Sequence, residues 1–449
     1  MRDFTTGSVT RHLLETAGFM LVTMVFQTLY FLVDLYWVGR LGKEAVAAVG
    51  IAGNIMFISL AVSQMLGVGA TTLVSHAVGR RDQEHARLVF NQAQVLTLLV
   101  AAAFLLAAMS ARGFYTSSLS ADAETARLAA DYMAWFVPAM ALQFGVVSMG
   151  AGLRATGNFT PGMIVQSVTV VLNIVLAPIL IFGWGTGRPM GVAGAAVATF
   201  IAVSVGTVWM ITYFLPRNSY LKFMPRDWKP RVGMWGDILK VGLPAGMEFA
   251  LMAVYLFAVY ALSRPFGSEA QAGFGIGMRV MQAGFMPVVA LGFSVAPVAG
   301  QNFGARHADR VRSTLGSAIR LVVGVMLVFA LLCNVAPAAM IRVFSRDPRV
   351  VLVGEQYLRI VSWNFIPAGV VFVLSSMFQA VGNTIPSLIA SVLRLLVAII
   401  PAVLLSRRPD FHLHWIWYLA VTSVMAQMLL SATLLRWTLK DRLAFERAA

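Results

Sequence analysis

Charge is scarce in this chain. Only 12% of its 449 residues are Asp, Glu, Lys or Arg, where a soluble domain carries about 25%. With 59% hydrophobic residues and a mean hydropathy of +0.78, an ordinary soluble enzyme is excluded. Acidic residues are rarer still, 19 against 34 basic ones. Cys333 is the only cysteine, which rules out an intrachain disulfide and a thiolate metal cluster. The six histidines, His12, His76, His85, His307, His412 and His414, fall in loops or at the ends of apolar runs. The H-x-H at 412–414 is a weak metal signal. No G-x-x-x-x-G-K-[ST] occurs, since "GRLGKEA" (39–45) lacks both the spacing and the hydroxyl, and this excludes an ATP-driven pump. An Asp-rich pyrophosphate motif and a G-x-S-x-G elbow are also missing. No stretch between apolar runs is long enough for an appended soluble domain, so an embedded enzyme or receptor is disfavoured.

Long apolar runs fill the space those absences leave. Segments of about 18 or more apolar residues read as membrane spans. Twelve are expected, at 13–37, 45–70, 88–109, 131–153, 160–183, 191–215, 236–262, 270–298, 313–338, 356–380, 384–406 and 413–437. Backbone polar groups in lipid must be satisfied internally, which leaves helices or a closed barrel. The runs lack the alternation of barrel strands, so the chain reads as an all-α membrane protein. The first span is too long for a signal-peptide core and is expected to remain in the mature protein. The net charge of +15 points to nucleic acid only at first sight. With the amino terminus inside, inner segments hold 19 Lys or Arg and outer segments 11. The positive-inside rule then places both termini in the cytoplasm of a plasma (inner) membrane protein, and nucleic acid is not an expected partner.

The chain also repeats itself. "RATGNFTP" (154–161) and "QAVGNTIP" (379–386) share A-x-G-N-x-x-P at a spacing of 225 residues. At that offset, 12 of the 46 positions between 42–87 and 267–312 are identical, among them Gly42/Gly267, Gly79/Gly304, Arg81/Arg306 and Arg87/Arg312. Each half holds six spans, an even number, so the halves enter the membrane with the same orientation. The expected fold is two six-helix bundles related by a parallel internal repeat, enclosing a site that opens alternately to either side. The lobes are read as 1–215 and 236–449, joined by a basic cytoplasmic linker at 216–235. In the shared peptide, Gly, Asn and Pro suit a tight turn.

Ionisable residues within spans are costly and mark candidate sites. Asp34 lies in the first span and Glu248 in the seventh; Asp131 and Glu355 sit at span ends, and Arg279, Arg320, Arg359 and Arg394 within or near spans. A carboxyl in an apolar bundle can cycle between neutral and charged forms, so Asp34 can carry a proton; beside neutral oxygens it can hold Na⁺, and beside an Arg or hydroxyl it can be purely structural. Glu248 has two readings, an ion pair with Arg279 or a substrate contact. Arg394 has no evident partner in the sequence. Met252, Met278 and Gln282 lie near Glu248 and Arg279 on spans seven and eight. Methionine suits adaptable apolar binding surfaces and ordinary packing alike.

Several stretches carry a resemblance. "VDLYWVGRLGKEAVAAVGIAGNI" (33–55), the paired turns "LVSHAVGRRDQEHAR" (73–87) and "VAGQNFGARHADRVR" (298–312), "LNIVLAPILIFGWG" (172–185) and "GVAGAAVAT" (191–199) together resemble the multidrug and toxic compound extrusion (MATE) family. The likeness spans nearly the whole chain and is nearer the DNA-damage-inducible bacterial branch. It implies a secondary exporter of organic cations and drugs, driven by inward H⁺ or Na⁺, with no cofactor and a monomer as the expected state. It also implies a cation-coupling set of Asp34, Asn173 and Thr199; the substrate-binding candidates are those read from spans seven and eight themselves, Glu248, Arg279, Met252, Met278 and Gln282. Ala177 stands where the family often has an Asp, which favours H⁺. The proline common in the family's first span is missing, and Glu248 follows Pro244 by only four residues, earlier than the span-seven Glu of the other bacterial branch. A lipid-linked oligosaccharide flippase of the same superfamily is the alternative, with Arg279 and Arg394 facing a pyrophosphate.

Overall fold

The computed structural model describes residues 2–185, 187–215 and 219–446. Residues 216–218 of the expected linker, including Arg217, and Arg447 of the inner basic set lie outside the described residues. The fold is all-helical, and twelve helices among the described residues are long and apolar enough to cross a membrane. In chain order the helices are α1 (Val9–Gly39), α2 (Lys43–Gly79), α3 (Gln83–Leu119), α4 (Ala123–Ala155), α5 (Thr160–Phe182), α6 (Gly191–Tyr213) and α7 (Val232–Ser263). They continue as α8 (Ser268–Gly304), α9 (Ala308–Val335), α10 (Pro337–Arg342), α11 (Pro348–Val361), α12 (Phe365–Ala380), α13 (Ile385–Leu405) and α14 (Leu413–Arg442).

The duplication is written into the backbone. α2 and α8 begin and end 225 residues apart, as α4 and α12 do at their carboxyl ends and α5 and α13 at their amino ends. Arg81 and Arg306 hold φ of 60° and 59°, Gly42 and Gly267 hold 112° and 90°, and Gly157 and Gly382 hold 75° and 71°. Arg81, Arg306, Gly157 and Gly382 close a helix with a left-handed residue, whereas Gly42 and Gly267 stand just before α2 and α8 as their N-caps. At the shared peptide, the Asn158 N–H bonds Leu153 O at 3.0 Å, and the Gly157 N–H bonds Arg154 O at 2.9 Å. The second copy pairs Asn383 with Phe378 O at 3.0 Å and Gly382 with Gln379 O at 3.0 Å. The peptide therefore ends one helix, and its proline, Pro161 or Pro386, opens the next in the first turn.

Several elements depart from the hydropathy reading. The tenth span starts at Pro348, earlier than position 356, and is split by a tight turn at Ser362–Asn364. Pro367 has no N–H for the carbonyl of Trp363, which interrupts the helical ladder there. α2 and α3 run beyond their apolar stretches to Gly79 and Leu119, because a helix need not stop where its hydrophobic window does.

By packing, the described chain divides into two units. One holds residues 2–3 with Phe19–Gly246; the other holds Phe4–Gly18 with the chain from Met247 onward. These bounds differ from the expected 215 and 236. In the first unit, the stretch read as a linker is bound to α3. Arg87 Nε donates to Tyr220 O at 2.8 Å, and the Arg231 N–H donates to Gln92 Oε1 at 2.9 Å. Asn91 Oδ1 accepts from Met224 N at 3.1 Å and Trp228 Nε1 at 2.9 Å. The opening half of α7 then packs on α2, where a side chain at Gly242 or Gly246 would meet the Met65 and Ala61 carbonyls. "GLPAG" is a small-x-x-x-small motif that lets two membrane helices approach to backbone contact.

In the second unit, the segment before α1 is held by the α8–α9 turn. Gln301 Oε1 accepts from Phe4 N at 3.0 Å, and Arg310 donates to Phe4 O at 2.9 Å, Thr6 O at 3.1 Å and Gly7 O at 3.0 Å. Along α8, Gly277, Gly284 and Gly292 form hollows filled by Tyr357, Phe329 and Phe372.

Candidate functional site

α1 sets Tyr30 and Asp34 one turn apart, hence on one face. That face belongs to the first unit, where α4 brings Tyr132, α5 brings Asn173 and α6 brings Thr199. Asn173 Nδ2 donates to Thr199 Oγ1 at 3.1 Å, and Thr199 Oγ1 donates to Ala195 O at 3.2 Å. With that hydroxyl proton committed, the 3.1 Å contact between Tyr30 Oη and Thr199 Oγ1 has Tyr30 as donor. Asp34 is half-buried, and its Oδ1 is buried without a protein hydrogen-bond partner. Its carboxyl is within electrostatic reach of Tyr30 and Tyr132. Tyr132, Asn173 and Thr199 are nearly fully buried.

The structure thus brings together Asp34, Asn173 and Thr199 and adds Tyr30 and Tyr132, which the sequence reading missed. A signal was present: at the 225-residue offset Tyr30 matches Tyr255 and Tyr132 matches Tyr357. Ala177, one turn from Asn173, is fully buried. One carboxylate among neutral oxygens suits a proton or a single monovalent cation. No group of three or more His, Cys, Asp or Glu able to hold a metal exists among the described residues.

The family model described as MatE matches the chain twice, over residues 20–179 and 244–404. The chain belongs to the MatE family. The two matches coincide with the internal repeat. Among the relatives of this MatE protein is the multidrug export protein MepA of Staphylococcus haemolyticus, 25% identical over 449 residues, with 99% of this chain and 97% of MepA covered. Another is a FAD transporter of Shewanella oneidensis, 26% identical, with 82% of each chain covered. A solved MOP superfamily transporter from Pyrococcus furiosus shares the fold, with a TM-score of 0.89, 25% identity and 98% of each chain covered. MatE proteins are transporters and not enzymes, and this one is a multi-pass membrane protein.

The residues expected to bind substrate in this MatE chain are only partly assembled. Glu248 lies in the second unit, where Ser375 donates to its Oε2 at 2.9 Å and Ser387 interacts with the same carboxylate. The ion pair with Arg279 does not form: serine hydroxyls take the carboxylate, and the Arg279 side chain is exposed. Met252 and Gln282 are also exposed. Met278 and Met281 present their sulfurs to Tyr357 Oη, each at 3.0 Å. Arg394, unassigned in sequence, lies over the Tyr255 ring at 4.9 Å.

Proposed function

We propose that this protein is a secondary active exporter of small organic cations, a proton antiporter whose coupling group is Asp34. The observation that carries the reading is the buried, unpartnered Oδ1 of Asp34 in a pocket of neutral hydroxyl and amide groups. Protonation would neutralise the one charge there and remove the field it exerts on Tyr30 and Tyr132. Loss of the proton on the other side of the membrane would restore the charge. Ala177 supports H⁺ over Na⁺, since it offers no oxygen ligand. The relative named as a multidrug export protein supports drug-like cargo. The site would open alternately to the two sides of a plasma membrane, with both termini cytoplasmic and the protein acting as a monomer.

The test is uptake of rhodamine 6G by proteoliposomes under separate pH and sodium gradients. A pH gradient alone should drive uptake, and Asp34→Asn should lower it by about tenfold or more while the protein stays folded. A fully active Asp34→Asn variant, or transport driven only by sodium, would overturn the assignment.

A further inference from the structure

Arg320 is a charged residue of a membrane span that the coupling site does not use. It lies on α9, which packs against α8 and α12 and leaves its other face exposed. Arg320 stands on that exposed face, with Gly316 one turn before it and Gly324 one turn after. The helix runs on from Arg320 to Val335, about 22 Å along the axis. That is shorter than a hydrocarbon layer of about 30 Å, so with Val335 at the far boundary the Arg320 backbone sits inside the layer.

The side chain turns back toward the basic end of its helix. Arg320 Nε donates to Gly316 O at 3.3 Å and Nη2 to Ser317 Oγ at 3.4 Å. Both bonds are long, and both draw the guanidinium toward the interface marked by Asp309, Arg310 and Arg312. A long basic side chain at the margin of the membrane snorkels in this way. A guanidinium offers five N–H donors, yet no acidic side chain pairs with Arg320 among the described residues. The acids nearby pair elsewhere. Asp309 lies 3.4 Å from Arg312. α1 meets α9 through Thr10 and Ser317 at 3.2 Å, and its Glu15 lies 2.8 Å from Arg11. A charge at this depth is costly until an anion reaches it.

The internal repeat shows that this flank is uncovered in one copy only. At the 225-residue offset, Arg312, Gly316 and Arg320 match Arg87, Asn91 and Val95 of α3. On α3 the linker covers the flank, held by Arg87 through Tyr220 O and by Asn91 through Met224 N. On α9, Gly316 and Gly324 border open space, where an added side chain would meet nothing within 4 Å. Further along the same face Leu327, Val328 and Leu331 are exposed. A cation at the margin and an apolar lane leading inward match the two parts of a lipid, a phosphate and an acyl chain. A free anion has a use for the cation alone.

We propose that Arg320 and the exposed face of α9 form a docking site for an anionic phospholipid. The guanidinium donates to the phosphate oxygens, for which its planar fork is suited. An acyl chain follows Leu327, Val328 and Leu331. A zwitterionic headgroup fits less well, because it brings its own cation beside Arg320 and Arg312. The site depends neither on the coupling ion nor on the exported solute.

The test is native mass spectrometry of the purified full-length protein with phosphatidylglycerol and phosphatidylcholine of identical acyl chains. The wild type should hold phosphatidylglycerol about fivefold more tightly. Arg320→Gln should abolish that preference, and Arg320→Lys, which keeps the charge, should retain most of it. Gly316→Leu fills the open space beside the guanidinium without touching other atoms; it should lower the preference severalfold, and it decides the matter if Arg320→Gln does not fold. Arg346→Gln removes an exposed arginine elsewhere in the same unit and should change nothing. Inorganic phosphate should fail to displace the lipid. Absence of a wild-type preference, or an equal loss in Arg346→Gln, would reduce the effect to net charge and overturn the site. So would a loss in Arg320→Lys as large as in Arg320→Gln, an unchanged preference in Gly316→Leu, or displacement by inorganic phosphate.

Discussion

Arg81 and Arg306 hold left-handed backbone without being glycine, at a cost of about 1–2 kcal/mol each. Replacing Arg81 by Gly relieves that strain, and the larger entropy of the unfolded chain offsets part of the gain. Thermal unfolding in detergent should show Arg81→Gly unchanged or stabilised by up to about 1 kcal/mol. Gly157→Ala, at the equivalent turn after α4, should lose about 1–2 kcal/mol; a loss of stability in Arg81→Gly would refute the strain argument. Asp122 shows a second local effect. Its carboxylate caps α4 by accepting from Thr125 N at 2.7 Å and Thr125 Oγ1 at 2.9 Å. Those bonds hold its pKa below the usual carboxylate value. A depressed folded pKa means stability that is present above the unfolded value and lost as pH falls through the folded one. Asp122→Ala should therefore lower the melting temperature at neutral pH, with the deficit shrinking toward zero in acid. A deficit that persists unchanged at low pH would place the effect elsewhere.

At the scale of elements, glycine spacing decides which helices touch. Gly242 and Gly246 bring the first half of α7 against the α2 carbonyls, with Gly69 offering the reciprocal gap to Ile238. A large side chain there meets backbone, which cannot turn aside as a flexible side chain would. Gly242→Leu should destabilise the protein by about 1–3 kcal/mol or more, whereas Gly236→Leu, on open space, should change the melting temperature little. Equal melting temperatures for the two variants would sink the account. The polar straps work differently, tying irregular chain to helices through side-chain bonds. Arg310 donates to three carbonyls of the segment before α1. Arg310→Ala should cost about 1–3 kcal/mol, read as faster hydrogen exchange at residues 4–7 with the remainder of the protein unaltered.

At the scale of the molecule, duplication governs the architecture, and the MatE family model matches the chain once per copy. The copies share helix ends, left-handed turns and the arginines of their turns, but not the carboxyls inside their spans. Asp34 corresponds to Val259 and Glu248 to Thr23 at the common offset. Two similar scaffolds thus carry different chemistry, one a carboxyl among hydroxyl and amide groups, the other a carboxyl held by serine hydroxyls. Orientation in the membrane is testable with single cysteines, because the native Cys333 is buried. Asp309, 92% exposed at the start of α9, should react as Asp309→Cys only with a reagent admitted to the cytoplasm. Ser118→Cys, exposed at the far end of α3, should react from outside intact cells. The reverse pattern would invert the charge-based topology.

Composition and spacing by themselves determined the all-helical membrane class, the twelve spans and the duplication, because lipid imposes long apolar helices and a repeat imposes a fixed offset. They also singled out Asp34, since a lone carboxyl in an apolar run is conspicuous. Only the tertiary structure decided which side chains meet. Tyr132 joins Asp34 from a helix far along the chain and Tyr30 from one turn away on α1, and hydropathy treats a buried tyrosine as ordinary packing. Glu248 and Arg279 are near in sequence yet stay unpaired, because Ser375 and Ser387, more than a hundred residues on, reach the carboxylate first. The unit boundaries followed the same logic: a basic, proline-containing stretch looks like free linker until side chains of α3 are seen to hold its backbone. Periodicity is a property of one helix, and partner choice is a property of the packed bundle.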